Sequence, residues 1–271
     1  MRDQAQDHQR GQQSIMKRHS QTLILVLVII LVATSNIAYA SQTNEKPLYD
    51  EAIKLVNIGT DEEIFELFLK QRPTPLSPDR RAFYKKELFN RPELAHTRLL
   101  DSNTQEAQAV LEIVKPVLGV LGRYRWQDAV DIVVLDQKAP FIGLYRESIF
   151  IVTTSVIKLL TPDQLRASLA HELAHECFIE ELIAADRAQD VAAHHLVEYK
   201  CDLIATIALN GLGQDPFTLV EGIARIEQYY KSNGAAPDTS SHPESADRKN
   251  CLKEFLSVHQ STSAKINRNC H

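Results

Sequence analysis

The sequence predicts an α+β fold, mostly helical, with a small β-sheet and one helix that carries the chemistry. Three observations lead there. Apolar residues recur at helical spacing over 42–121 and again from about 161 to 230. Two short runs rich in β-branched residues, 130–135 and 148–153, lie between those halves. The pattern His171-Glu172-Leu173-Ala174-His175 then falls on the helix that follows them. With 271 residues, 44% of them hydrophobic, the chain suffices for one sizeable core or a compact domain with a smaller appendage.

Residues 1–40 read as an upstream extension followed by an export signal. Lys17 and Arg18 precede the uncharged run Leu23 to Ala33, and Ala38-Tyr39-Ala40 supplies a small-x-small cleavage pattern. Met16, directly before the basic pair, fits as the true start. Ser41 is then the expected first residue of the mature chain, and a serine there gives no sign of a lipid anchor. The compartment expected is periplasmic, with secreted or membrane-anchored forms as alternatives. An uncleaved anchor is the weaker of these, because the apolar run falls short of the roughly 20 residues a span needs.

Beyond the signal, Thr60-Asp61-Glu62-Glu63 has the form of a capping box opening a helix, and the proline-rich stretch Arg72 to Pro78 reads as a loop. A longer helix is expected over 103–121, with Val110, Leu111, Val114, Val117, Leu118 and Leu121 on one stripe. The two β-branched runs are strands, joined through a connector containing Pro140 and Gly143. Thr161-Pro162-Asp163-Gln164 opens the next helix with a hydroxyl cap, a first-position proline and a glutamine to complete the box. Further helices are expected over 184–209, ending at Gly211 and Gly213, and over 216–230.

Lys and Arg total 30 against 35 Asp and Glu, so no basic excess points to nucleic acid. Removing 1–40 takes away Arg2, Arg10, Lys17 and Arg18 with Asp3 and Asp7, leaving a mature net charge of −7. Four cysteines allow three pairings: Cys251 with Cys270 would staple the tail, and Cys177 with Cys201 would tie two helices together. Free buried thiols are the alternative.

On a helix, residues four apart share a face, so His171 and His175 can meet one ion while Glu172 turns toward that ion's water. A catalytic zinc site needs a third protein ligand and an open fourth position. A third histidine shortly after a glycine turn is not available, since Phe178 and Glu181 occupy those positions. The segment Glu198-Tyr199-Lys200-Cys201-Asp202 instead offers a carboxylate ligand, Glu198, with Asp202 one turn on to accept a ligating histidine's other N–H. His194 and His195 stand one turn before Glu198, as rival ligands, cleft residues or ordinary packed histidines.

Over Ile142 to Phe255 this arrangement resembles the HtpX and BepA group of membrane-associated and periplasmic zinc metallopeptidases (peptidase family M forty-eight, gluzincin type). The resemblance rests on Glu147 to Thr154, Leu169 to His175, Glu198 to Asp202, and His242-Pro243 with Arg248. The family usually has alanine where this chain has Cys201, and a further histidine soon after the core motif. The resemblance implies a zincin-like catalytic domain over 126–271 with a short C-terminal helix. A helical segment, 41–125, would pack against it. It further implies one zinc ion per chain, hydrolysis of protein or peptide substrates with Glu172 as general base, and a role in envelope protein quality control. His242 would lie near the metal, as oxyanion stabiliser or as a plug in the fourth position. Arg248 would bind substrate carbonyls or pin the loop. The strand ending near Thr153 and Thr154 would receive an extended substrate. Peripheral membrane association is compatible with this reading. The alternatives are a latent, chaperone-like zinc protein and an integral membrane peptidase.

Overall fold

The computed structural model describes residues 45–56, 76–91, 94, 97–100, 103–121, 130–146, 148–235 and 239–269. The expected leader, the capping box at Thr60 and Cys270 lie outside these residues. No described helix is long and apolar enough to cross a membrane.

Four strands form one mixed sheet: β1 (Arg98–Leu100), β2 (Asp131–Asp136), β3 (Ile142–Tyr145) and β4 (Ile149–Thr153), in the order β1-β2-β4-β3. β2 and β4 run parallel, with Val133 opposite Ile151, while β1 and β3 pair antiparallel at the two edges. β2 and β4 are the two runs predicted as strands, and their continuous apolar character has a tertiary reason. Ile132, Val134, Phe150 and Val152 face a large helical core, whereas Val133, Leu135, Ile149 and Ile151 face a second cluster with Leu88 and Leu94. With both faces covered, neither strand needs alternating polar residues. β3 falls in the stretch read as a connector. Gly143 lies on this strand against the Phe141 ring, whose tip would be 2.7 Å from a Cβ there, so a larger residue would make that ring shift.

The helices are α1 (Glu45–Val56), α2 (Pro78–Phe89), α3 (Gln105–Val120), the short α4 (Thr154–Leu159), α5 (Pro162–Ala174), α6 (Ile179–Ala188), α7 (Val191–Gly211), α8 (Thr218–Ser232) and α9 (Ser245–Asn269). α2 begins at Ser77, whose hydroxyl accepts from Arg80 N–H, and Leu88 on this helix covers the far face of the sheet. α1 and α3 contribute Tyr49, Ala52, Val110, Val114 and Val117 to the same apolar cluster as α5 and α7. α7 is buried almost all round from His194 to Leu209, the condition of a central helix.

Two expectations are corrected. The single helix over 184–209 is two, because Gln189 adopts a left-handed φ of 52° and Asp190 restarts the helix by accepting from Ala193 N–H. The C-terminal helix is not short: Ser245–Asn269 contains neither glycine nor proline and runs for 25 residues.

Candidate metal centre

α5 is set by its first turn. Thr161 accepts from Gln164 N–H and Gln164 accepts from Thr161 N–H, both at 3.2 Å, completing the predicted capping box. Three turns later the helix presents His171 and His175, with Nε2 atoms 3.2 Å apart and rings at 89° to one another. At His175 the backbone tightens into a single 3-10 turn, His175–Cys177, before α6 begins. One donor atom each of His171, Glu172 and His175 lies within a common 4.8 Å.

α7 crosses this end of α5 and delivers Glu198, which is 3% exposed. Its Oε2 lies 3.2 Å from His171 Nε2 and its Oε1 3.3 Å from His175 Nε2. Oε2 is buried and makes no hydrogen bond despite that proximity. A buried carboxylate oxygen with no hydrogen-bond partner, facing two imidazole nitrogens 3.2 Å apart, is a group that a shared cation would satisfy. The residues therefore fit a metal ion. The structure brings together all three ligands expected from the sequence, with Glu172 beside them.

Behind the ligands is a buried charged layer. His171 Nδ1 is 2.9 Å from Asp202 Oδ1, and Arg248 from α9 forks onto Asp202, its Nε donating to Oδ2 at 2.7 Å and its Nη2 to Oδ1. Arg248 Nη1 also lies 3.4 Å from Glu198 Oε2. Asp202 is fully buried and Arg248 is 3% exposed, so the arginine is not placed to meet substrate carbonyls. From the first turn of α9, just after the His242 segment, it holds the two acids of α7, so of the two roles expected for it the structure shows a carboxylate contact and not one with substrate.

Two carboxylates and one guanidinium leave this interior with one excess negative charge when both histidines are neutral. The protonation preferences follow. Burial works to lower the His171 pKa, but the Glu198 charge and the hydrogen bond to Asp202 outweigh it and push it up to about 9. Burial would raise the Glu198 carboxyl, yet the neighbouring charges of His242, His171 and His175 hold it well below the usual carboxylate range. Asp202 is held low against the same desolvation, chiefly by Arg248. The metal-free centre thus takes up a proton where a metal would otherwise sit.

His242 lies on the segment between α8 and α9, with its side chain 49% exposed and Nε2 3.8 Å from Glu198 Oε1. Its Nδ1 is 2.7 Å from Ser241 Oγ. The rival histidines face elsewhere. His194 Nε2 is 3.0 Å from Asp186 on α6, while His195 is held by Glu45 at 2.9 Å and by the Thr239 carbonyl at 3.0 Å. Glu45 also accepts from Tyr199 OH, so one buried cluster ties α1, α7 and the His242 segment together. Sequence reasoning missed that cluster, since its partners are 150 residues apart and no local signal links them.

No disulfide forms among the described residues: Cys177, Cys201 and Cys251 are buried thiols. Of the alternatives left open, buried thiols are therefore the one present, and Cys201 Sγ faces His175 Nδ1 at 3.4 Å. The substrate-receiving role expected near Thr153 and Thr154 is also corrected, because β2 and β3 occupy both edges of β4. Thr153 is spent on accepting from Phe141 N–H and on capping α4. Comparison of the sequence with family models finds no match, and comparison with curated proteins finds none.

Proposed function

We propose that the chain is an exported zinc-dependent endopeptidase of gluzincin type on a zincin-like scaffold, acting on proteins or peptides in envelope protein quality control. The observation that carries this reading is the convergence of His171 Nε2, His175 Nε2 and the Glu198 carboxylate beside Glu172. The resemblance to the M forty-eight peptidases supports it, through the same residues.

His171, His175 and Glu198 would hold a zinc ion, which would supply Lewis acidity to a water and to the scissile carbonyl. Glu172 would take the proton from the attacking water and return it to the departing amine. Asp202 accepts the Nδ1–H of His171, which leaves Nε2 to the metal, and Arg248 fixes Asp202 and Glu198 in turn. His242 offers an N–H to the developing oxyanion from the solvent side of the site. β3, an edge strand among the described residues and packed near α5, would offer its outer side to an extended substrate.

The test is a zinc measurement paired with a cleavage assay on the mature protein. About one zinc per chain is expected, lost in His171→Ala, His175→Ala and Glu198→Ala. Glu172→Gln should keep the metal and lose nearly all turnover. Near-normal zinc in all three alanine variants, or full cleavage by Glu172→Gln, sinks the assignment. The position of His242, 3.8 Å from Glu198 Oε1, favours one second reading. In it the histidine closes the fourth position and the protein is a latent, chaperone-like binder with little turnover.

A further inference from the structure

The two histidines of the centre are supported unequally. Behind His171 stands a carboxylate, Asp202, at 2.9 Å, itself held by Arg248. Behind His175 stands a thiol, Cys201 Sγ, at 3.4 Å from Nδ1. Cys201 and Asp202 are successive residues of α7, three and four positions after Glu198, so one helical turn carries a ligand and the outer partners of both imidazoles. Both of these outer side chains are fully buried, while the His175 side chain is 14% exposed.

We propose that Cys201 is a positioning residue for His175, accepting its Nδ1–H at sulfur and so fixing the ring tautomer and rotation that direct Nε2 to the metal. The inference rests on the metal-centre reading above. An imidazole that gives Nε2 to a cation must carry its proton on Nδ1, and that N–H needs an acceptor when buried. Sulfur is the acceptor within reach, and a neutral thiol is a weak one. His175 is therefore the less strongly polarised ligand of the pair, and α7 sets both halves of the site with adjacent side chains.

The experiment compares zinc affinity, by competition with a chromophoric chelator, in the parent, Cys201→Ala and Cys201→Ser, alongside thermal unfolding of each metal-free protein. Cys201→Ala is expected to weaken zinc binding roughly 10-fold, the low end for loss of an outer partner because thiols accept weakly. Cys201→Ser, whose hydroxyl accepts the same N–H, should recover most of that loss. A purely packing role would instead lower the metal-free melting temperature of both variants and leave zinc affinity alone. Affinity in Cys201→Ala within about twofold of the parent, or equal loss in Ala and Ser, overturns the proposal. A parent that binds no zinc overturns the metal centre along with it. A parent that binds zinc but cleaves no peptide, with the Ala and Ser variants behaving as described, removes the peptidase reading and upholds the role of Cys201.

Discussion

Arg248→Met separates a guanidinium that organises the centre from one that handles substrate. The arginine is 3% exposed, donates two hydrogen bonds to Asp202 and lies 3.4 Å from Glu198. Methionine roughly fills the volume and removes the charge. Asp202 is then left with the His171 contact alone among the side-chain partners described above, and Glu198 loses its nearest lasting cation. Taking one partner from a buried ion pair costs about 3–5 kcal/mol, because the remaining charge stays desolvated. At roughly 2–4 °C per kcal/mol for a protein of this size, the metal-free melting temperature should fall by about 6–20 °C. Zinc-loaded protein should lose less, since the metal supplies positive charge to Glu198 from its other side. Arg248→Lys keeps the charge but not the fork, so its loss should be intermediate. The assay is thermal unfolding by circular dichroism, with and without zinc, together with kcat and KM on a peptide. A metal-free melting point for Arg248→Met within about 2 °C of the parent, combined with a raised KM, would refute the organising role.

The raised His171 pKa gives a pH window for the metal-free protein. A group whose folded pKa rises from 6.5 to about 9 contributes stability that is complete below about 6.5 and is lost as pH climbs through 9. That is on the order of 3 kcal/mol, so the metal-free melting temperature should decline between pH 7 and 10. A flat profile across that range contradicts it. For His242→Ala the expectation is loss of turnover with zinc content unchanged. Increased basal cleavage would show instead that the residue chiefly closes the site, and no change in either quantity would leave it a solvated side chain.

Much of the centre is legible in the sequence because helices make it local. The four-residue spacing of His171 and His175, the cap at Thr161 and the four-residue spacing of Glu198 and Asp202 all follow from 3.6 residues per turn, and the structure places each as that period requires. The strands β2 and β4 were visible for a similar reason, as dense β-branched runs. What tertiary structure alone decides is long-range. Arg248 became part of the centre because α9 brings it 46 residues back onto Asp202. Cys201 faces His175 because of the way α7 crosses α5. β3 became a strand because β4 supplied a partner for its backbone. Periodicity within one helix states which residues share a face; which face meets which depends on packing, where side chains distant in sequence set each other's charge and orientation.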